Sequence, residues 1–288
     1  MSDIKNTFFI SRLSNLKRAY LNSHFAPAFF FLSTERSQAL KTLYAVLRVL
    51  DDAVDQSNVE DPQAFLESWK KVFSDETIDQ ITQTHHRELA SHFIEVMRKF
   101  ELPKQYLLDF IDQGVAVDLK KNIFETPMDL ESYCYGVAGT VGVLCLPIFG
   151  VPWVEAKDYA IRLGIAIQWV NVIRDVGVDA QMGRIYIPQD HLEKFQYDRE
   201  ALLKKWRNSS FETLIEYETK VARSYFQRAE ELKPLHLNGK LLPAKIMGKI
   251  YERLLSKLEA NHFPVFNKKI RLNLIEKVLV TWQVIRNK

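Results

Sequence analysis

Residues 37–55 read SQALKTLYAVLRVLDDAVD, and this stretch decides the fold class. Its large apolar and aromatic residues fall at Leu40, Leu43, Tyr44, Leu47, Leu50 and Val54. Steps of three and four put them on one face of a helix. The same period governs 106–117, 130–146, 156–176, 211–232 and 244–258. Breaks fall at Pro62, Pro103, Pro127, Pro147, Pro152, the stretch 183–188, Pro234, Pro243 and Pro264. Strand-like alternation is confined to Arg184-Ile185-Tyr186-Ile187-Pro188. No repeat and no Gly, Ser or Pro-rich linker divides the chain. These patterns predict one all-α domain over residues 1–288, a bundle of about ten helices around a central hydrophobic cavity.

The composition excludes several function classes. The chain has 288 residues, 47% hydrophobic and 26% charged, an ordinary globular mix. Lys and Arg number 39 against 36 Asp and Glu, a net charge of +3, so no nucleic-acid partner is indicated. The densest cationic spot, Lys268-Lys269-Ile270-Arg271, reads as a solvated helix end. From Tyr133 to Val154 there is no charged residue, long enough to span a bilayer. Four glycines loosen that run, and Pro147 and Pro152 are expected to stop its helix short of spanning. A buried core helix is the expectation. The start of the chain does not read as a signal peptide, so the expected location is cytoplasmic, with peripheral contact at the inner membrane face. Cys134 and Cys145 read as reduced packing residues. The histidines show no zinc-like spacing, and no GxGxxG, P-loop, GxSxG or HExxH occurs.

Two acidic motifs stand out from this apolar background. Within Arg48-Val-Leu-Asp51-Asp52-Ala-Val-Asp55, Asp51 and Asp55 lie four apart on one helical face, with Arg48 and Tyr44 on the turns before them. In Gln168-Trp-Val-Asn171-Val-Ile-Arg174-Asp175-Val-Gly-Val-Asp179, Asn171, Asp175 and Asp179 again recur every four residues. Either motif alone also reads as a solvated acidic helix face. Together they put two carboxylate-bearing helices around one cavity, where a cation would cancel their repulsion. Hard oxygen ligands suit Mg2+, which bridges carboxylates to substrate phosphates. The implied substrate carries a diphosphate and an apolar body, as isoprenoid diphosphates do.

These motifs, with Tyr133-Cys-Tyr-Gly-Val-Ala-Gly-Thr-Val-Gly142 and Gly183-Arg184-Ile-Tyr186-Ile-Pro188, occur in the order seen in the bacterial phytoene/squalene synthases, and the chain resembles that family from about residue 20 to 265. The resemblance implies an all-α isoprenoid synthase fold that condenses two prenyl diphosphates head to head. By it, Asp51, Asp55, Asn171, Asp175 and Asp179 hold Mg2+ and diphosphate. Arg48 and Arg174 neutralise phosphate oxygens. Tyr44, Tyr133 and Gln168 line the reaction zone, and Arg184 with Tyr186 helps close it. Tyr251 and Lys268/Lys269 stand where the family has further aromatic and cationic phosphate contacts. His24, in Asn22-Ser23-His24-Phe25-Ala26-Pro27, replaces a Ser-rich segment; it reads as a phosphate donor or as a packing residue.

The chemistry so implied is ionisation in a dry cavity. It passes through a cyclopropylcarbinyl diphosphate and ends by hydride from NADPH or by proton loss. The Phe25, Phe29, Phe30 and Phe31 cluster is expected to cap the tunnel and favour farnesyl diphosphate, giving a C30 hydrocarbon such as squalene or dehydrosqualene. Geranylgeranyl diphosphate with a C40 phytoene product is the alternative. A prenyl diphosphatase releasing farnesol, and a non-catalytic assembly factor of the same fold, are the others. Gly136, Gly139 and Gly142, spaced by three, read either as close helix packing or as room for a prenyl chain. The sequence does not show whether NADPH binds, or the oligomeric state.

Overall fold

The computed structural model describes residues 31–55, 59–119 and 123–286. Helix α1 (Thr34–Asp55) buries Leu40, Leu43, Leu47 and Leu50, the stripe read from the sequence. Helix α2 (Pro62–Asp75) starts where the Asp61 carboxylate accepts from Ala64 N at 2.9 Å and Pro62 sets the first turn. Helix α3 (Thr84–Phe100) packs on α1. Helix α4 (Lys104–Asp109) runs into a π-helical turn, Phe110–Gly114, and a 3-10 turn, Val115–Val117. Helix α5 (Pro127–Cys134) opens on a capping box of Thr126 and Asp129. It passes through a second π-helical turn, Tyr135–Gly139, into α6 (Thr140–Phe149).

Helix α7 (Trp153–Gln181) is the axis of the bundle, 29 residues and so about 44 Å long. Its consecutive residues Gly164, Ile165, Ala166 and Ile167 are all buried, so it has no solvent face there. It packs on α6 and on α10 (Ser209–Leu232). Short helices α8 (Gln189–Lys194) and α9 (Arg199–Leu203) precede α10; α11 (Leu242–Ala260) and α12 (Leu274–Arg286) follow. The strand-like stretch 184–188 forms only an isolated parallel bridge, Ile123 to Ile185.

Glycines let the central helices touch backbone to backbone. A Cβ on Gly142 would lie 2.7 Å from the Ala160 carbonyl oxygen, and one on Gly164 2.4 Å from that of Ala138. One on Gly136 would lie 2.3 Å from the Gln113 backbone. Close packing, not room for a prenyl chain, therefore explains Gly136; Gly142 both packs and lines the cavity described below. Pro147 does not stop its helix as expected. It sits in the last turn of α6, where its missing N–H costs a single ladder bond, and the helix ends at Gly150, which has φ +79°. The run Pro127–Phe149 is long and apolar enough to cross a membrane, but it packs within the bundle against α7.

Candidate active site

A cavity of about 470 Å³ lies among α1, α5, α6, α7 and α11. Along α7 its wall changes character, from Ala160, Leu163, Gly164 and Ile167 to Gln168, Asn171, Arg174 and Asp175. Those fifteen steps span about 22 Å. On α1 the order is parallel, Tyr44 and Leu47 then Arg48 and Asp51. Helical spacing thus carries each motif from a greasy interior to a charged mouth, and both acidic helices face one space. Phe149, Leu146 and Leu163 line the apolar part, and Tyr133 of α5 also lines the cavity.

At the mouth each acidic motif is neutralised by its own cations. Arg48 Nη1 donates to Asp51 Oδ2 at 2.9 Å, and the same guanidinium pairs with Asp52. On α7, Arg174 grips the Asp175 carboxylate through Nε, at 2.9 Å, and through Nη2. Lys269 Nζ adds a contact of 2.8 Å to Asp175 Oδ1. Burial pushes the Asp175 carboxyl up, but Arg174 and Lys269 outweigh it and hold it below the usual carboxylate range. Asp179, one turn on, goes the other way: burial, then the Asp175 charge, raise it to about 7, only partly offset by Lys269, Arg184 and Arg174. Lys269 belongs to the extended connector between α11 and α12, so the reading of 268–271 as a solvated helix end is corrected.

Asn171 supplies the atom most telling for a cation. Its Nδ2 donates to Gln168 Oε1 at 3.1 Å, while its Oδ1 is buried with no hydrogen-bond partner among the described residues. A carbonyl oxygen left bare beside a carboxylate-lined mouth fits a hard cation. Among the described residues no group of three or more His, Cys, Asp and Glu is placed to hold a metal alone. With the Asp51 and Asp175 carboxylates lining the same mouth, the donors present are hard oxygens, which suit a divalent cation that keeps waters and takes phosphate oxygens as ligands.

The other predicted residues take different places. Tyr251 is buried behind the mouth, interacting with Arg174 and Asn171, and burial raises its hydroxyl above the ordinary value. Asp179, Arg184 and Tyr186 line a separate small crevice and not the main cavity. Tyr186 connects to the cavity through Tyr133, stacked on it at 5.1 Å. Asp55 ends α1, with its side chain outside the description, and His24, Phe25, Phe29 and Phe30 lie outside the described residues. Phe31 is 38% exposed and does not line the cavity, so it is no tunnel cap.

Asp118 was not foreseen. Its Oδ2 accepts from Tyr133 at 3.0 Å and its Oδ1 from Tyr186 at 3.1 Å, and Phe124 packs on both rings. Burial, then Asp118, push the Tyr133 hydroxyl well above its ordinary value, so it stays a proton donor. Asp118 follows the 3-10 turn and precedes Lys120 and Lys121, where nothing periodic separates it from surface charge.

This bundle, with two acidic helices at the mouth of a greasy cavity, defines an all-α isoprenoid synthase. The model of the squalene/phytoene synthase family matches residues 21–276, and the chain belongs to that family. It is 29% identical over 284 residues to the 15-cis-phytoene synthase of Synechococcus elongatus, covering 89% of each. It is 30% identical over 280 residues to that of Synechocystis sp., covering 88% of this chain and 80% of the relative. A crystal structure of a dehydrosqualene synthase superposes with TM-score 0.83 at 27% identity, covering 98% of this chain and 96% of the other. The fold is shared too by a squalene synthase of Alicyclobacillus acidocaldarius, with TM-score 0.75 at 22% identity over 90% of this chain and 96% of the other. The protein is thus a prenyltransferase of the head-to-head type, a family that handles its diphosphate substrates with a divalent metal.

Proposed function

We propose that this enzyme condenses two molecules of farnesyl diphosphate into a C30 hydrocarbon, with Mg2+ at the mouth of the cavity. The observation that carries the metal is the bare Asn171 Oδ1 beside Asp175, with Asp51 on the facing helix. Asp51, Asn171 and Asp175, which line that mouth, would hold the ion, with Asp55 and Asp179 one turn further along the two helices. Bound there, it supplies positive charge against the leaving diphosphate.

The chain's own residues do the rest. Arg48, Arg174 and Lys269 pair with phosphate oxygens when the diphosphate arrives, exchanging carboxylate partners for substrate. Tyr44 and Gln168 line the passage from this mouth to the interior. Val137, Val141, Leu146, Leu163 and Phe149 enclose the prenyl chains and exclude water from the carbocation. The first ionisation expels one diphosphate. The second substrate's double bond then attacks the allylic cation, and proton loss leaves a cyclopropylcarbinyl diphosphate. A second ionisation expels the other diphosphate, and hydride from NADPH or loss of a proton ends the sequence. Tyr133, kept protonated by burial and then by Asp118, which accepts from its hydroxyl, lines the cavity wall.

The bulk of Phe149, Leu146 and Leu163 along the apolar part of the cavity supports the shorter farnesyl chain, as does the likeness to a dehydrosqualene synthase. The second reading, geranylgeranyl diphosphate and a C40 product, is favoured by the phytoene synthases among the sequence relatives. We place the enzyme in the cytoplasm. The test is incubation with each prenyl diphosphate and Mg2+, with and without NADPH, followed by hexane extraction and mass analysis. A C30 product supports the proposal and a C40 product moves it to the second reading. Farnesol alone would make the protein a diphosphatase, and no product at all would leave the assembly-factor reading.

A further inference from the structure

We propose that the outer face of α12 docks on an anionic lipid bilayer. Leu274, Ile275, Val278, Leu279 and Trp282 are 75, 71, 58, 54 and 54% exposed. Their spacing makes one stripe along the helix, opposite the buried Lys277, Val280 and Val284 that face the body of the protein. Five large apolar side chains on one outward face form a contiguous patch, which water alone does not explain. At 13 residues the helix is about 20 Å long, too short to span a membrane and suited to lying in its interface.

Charge selects the occupant. The one carboxylate of α12, Glu276, is turned inward and accepts from Lys257 Nζ at 2.7 Å, so the stripe itself carries no acid. Arg286 closes its end, with the guanidinium 4.9 Å from the Trp282 ring centre, and exposed Arg271 precedes its start. The cleft of about 500 Å³ under α12 opens on Val280 and Val284, the face opposite the stripe. Three of its cations pair with Glu230, Glu252 and Glu259, so the stripe's own border charges are Arg271 and Arg286. An apolar stripe with an aromatic residue and an arginine at each end matches anionic headgroups over acyl chains. A second copy docking through the same stripe would bring cationic borders together.

The inner side of α12, not the stripe, approaches the cavity. Leu163 lines both the cavity and the cleft under α12, so that one side chain stands between them. Delivery of a hydrocarbon product to the bilayer through this wall rests on the function proposed above; the docking itself does not.

The experiment is co-sedimentation of the full-length protein with phosphatidylcholine vesicles, with and without phosphatidylglycerol. Binding is expected to be about ten-fold or more tighter on the anionic vesicles and to weaken with salt. The double variant Leu279→Glu/Trp282→Glu should lose that binding while keeping its helical circular dichroism and its diphosphate release. Arg286→Glu, which leaves the apolar stripe intact, should weaken binding to the anionic vesicles alone. Absence of wild-type binding, or equal binding by the double variant, overturns the proposal. A wild-type dimer that this variant splits into monomers overturns it in favour of a second copy. If no prenyl diphosphate is turned over yet the vesicles bind as expected, only the proposed function falls.

Discussion

Lys269 Nζ lies 2.8 Å from Asp175 Oδ1, so the connector before α12 reaches into the mouth that α7 builds. With Arg174 on the same carboxylate, two cations stand where the proposed function puts metal and diphosphate. Lys269 then has to exchange Asp175 for a phosphate oxygen. Lys269→Ala is expected to raise KM for the prenyl diphosphate about ten-fold, the value of one charge-assisted hydrogen bond, with a smaller effect on kcat. Lys269→Arg should recover most of that loss. Steady-state kinetics at saturating metal decides; an unchanged KM would confine Lys269 to neutralising Asp175.

Asp51 and Asp175 reach the cavity from different helices, and each already has a cationic partner. Asparagine keeps their size and removes the charge a metal needs. Asp51→Asn and Asp175→Asn are each expected to lower kcat by about 10²–10³-fold or more, with thermal stability little changed. Asp175→Asn should also free Lys269. Retained activity in both variants would refute the metal assignment.

Asp179 ties pH to stability through the same site. Burial and Asp175 raise its carboxyl to about 7 in the folded, metal-free protein. In the unfolded chain it titrates at about 3.9. Between those values the folded state binds the extra proton, so this group's contribution to stability is full below about pH 4 and declines as pH rises toward 7. Asp179→Asn removes the titration, and its Tm relative to wild type should climb over that window. Divalent metal binding, which needs the ionised carboxylate, should strengthen as pH rises through 7. Calorimetry of the metal-free proteins from pH 4 to 8, with a matched metal titration, checks both signs.

The fold was legible where periodicity is long and uninterrupted, as along 37–54 and 156–176, and the acidic motifs were legible because carboxylates stood out from an apolar stripe. The interruptions were not. The π-helical turns Phe110–Gly114 and Tyr135–Gly139 each insert backbone without changing the apolar texture, so 106–117 and 130–146 read as plain helix. Their signal was glycine, at Gly114 and Gly136, whose backbones meet where the two turns cross. Asp118 and Glu218 stayed hidden for another reason. A lone acid in a polar stretch, or on an amphipathic helix, looks like surface until tertiary packing surrounds it, as it does around Glu218, which is fully buried.

The glycine crossing gives a graded test of packing. An alanine Cβ at Gly136 would meet the Gln113 carbonyl at 2.3 Å, and backbone cannot step aside as a side chain does. At Gly139 the nearest atom is Tyr135 Cδ2 at 3.2 Å, the edge of a ring that can turn. Gly136→Ala is expected to destabilise by roughly 2–4 kcal/mol through overpacking. Gly139→Ala should stay within about 1 kcal/mol, since its helix-propensity gain offsets the tight contact. Urea denaturation of the two variants measures the difference, and equal costs would mean the crossing relaxes freely.

Glu218 couples the site to the far side of the bundle. Its carboxylate is 0% exposed; Oε2 accepts from the Trp169 indole at 2.9 Å and Oε1 lies 2.5 Å from His191 Nδ1. Trp169 follows Gln168, so α10 and α8 together fix the turn of α7 that lines the cavity. Removing the carboxylate strands a buried indole N–H and a buried imidazole. Glu218→Ala is therefore expected to cost roughly 3–5 kcal/mol in urea denaturation. Glu218→Gln keeps an acceptor for one partner and should cost about half as much. A rise in KM for Glu218→Gln, with the protein still folded, would carry the effect through Trp169 to Gln168. An unaltered KM would restrict Glu218 to holding the helices together.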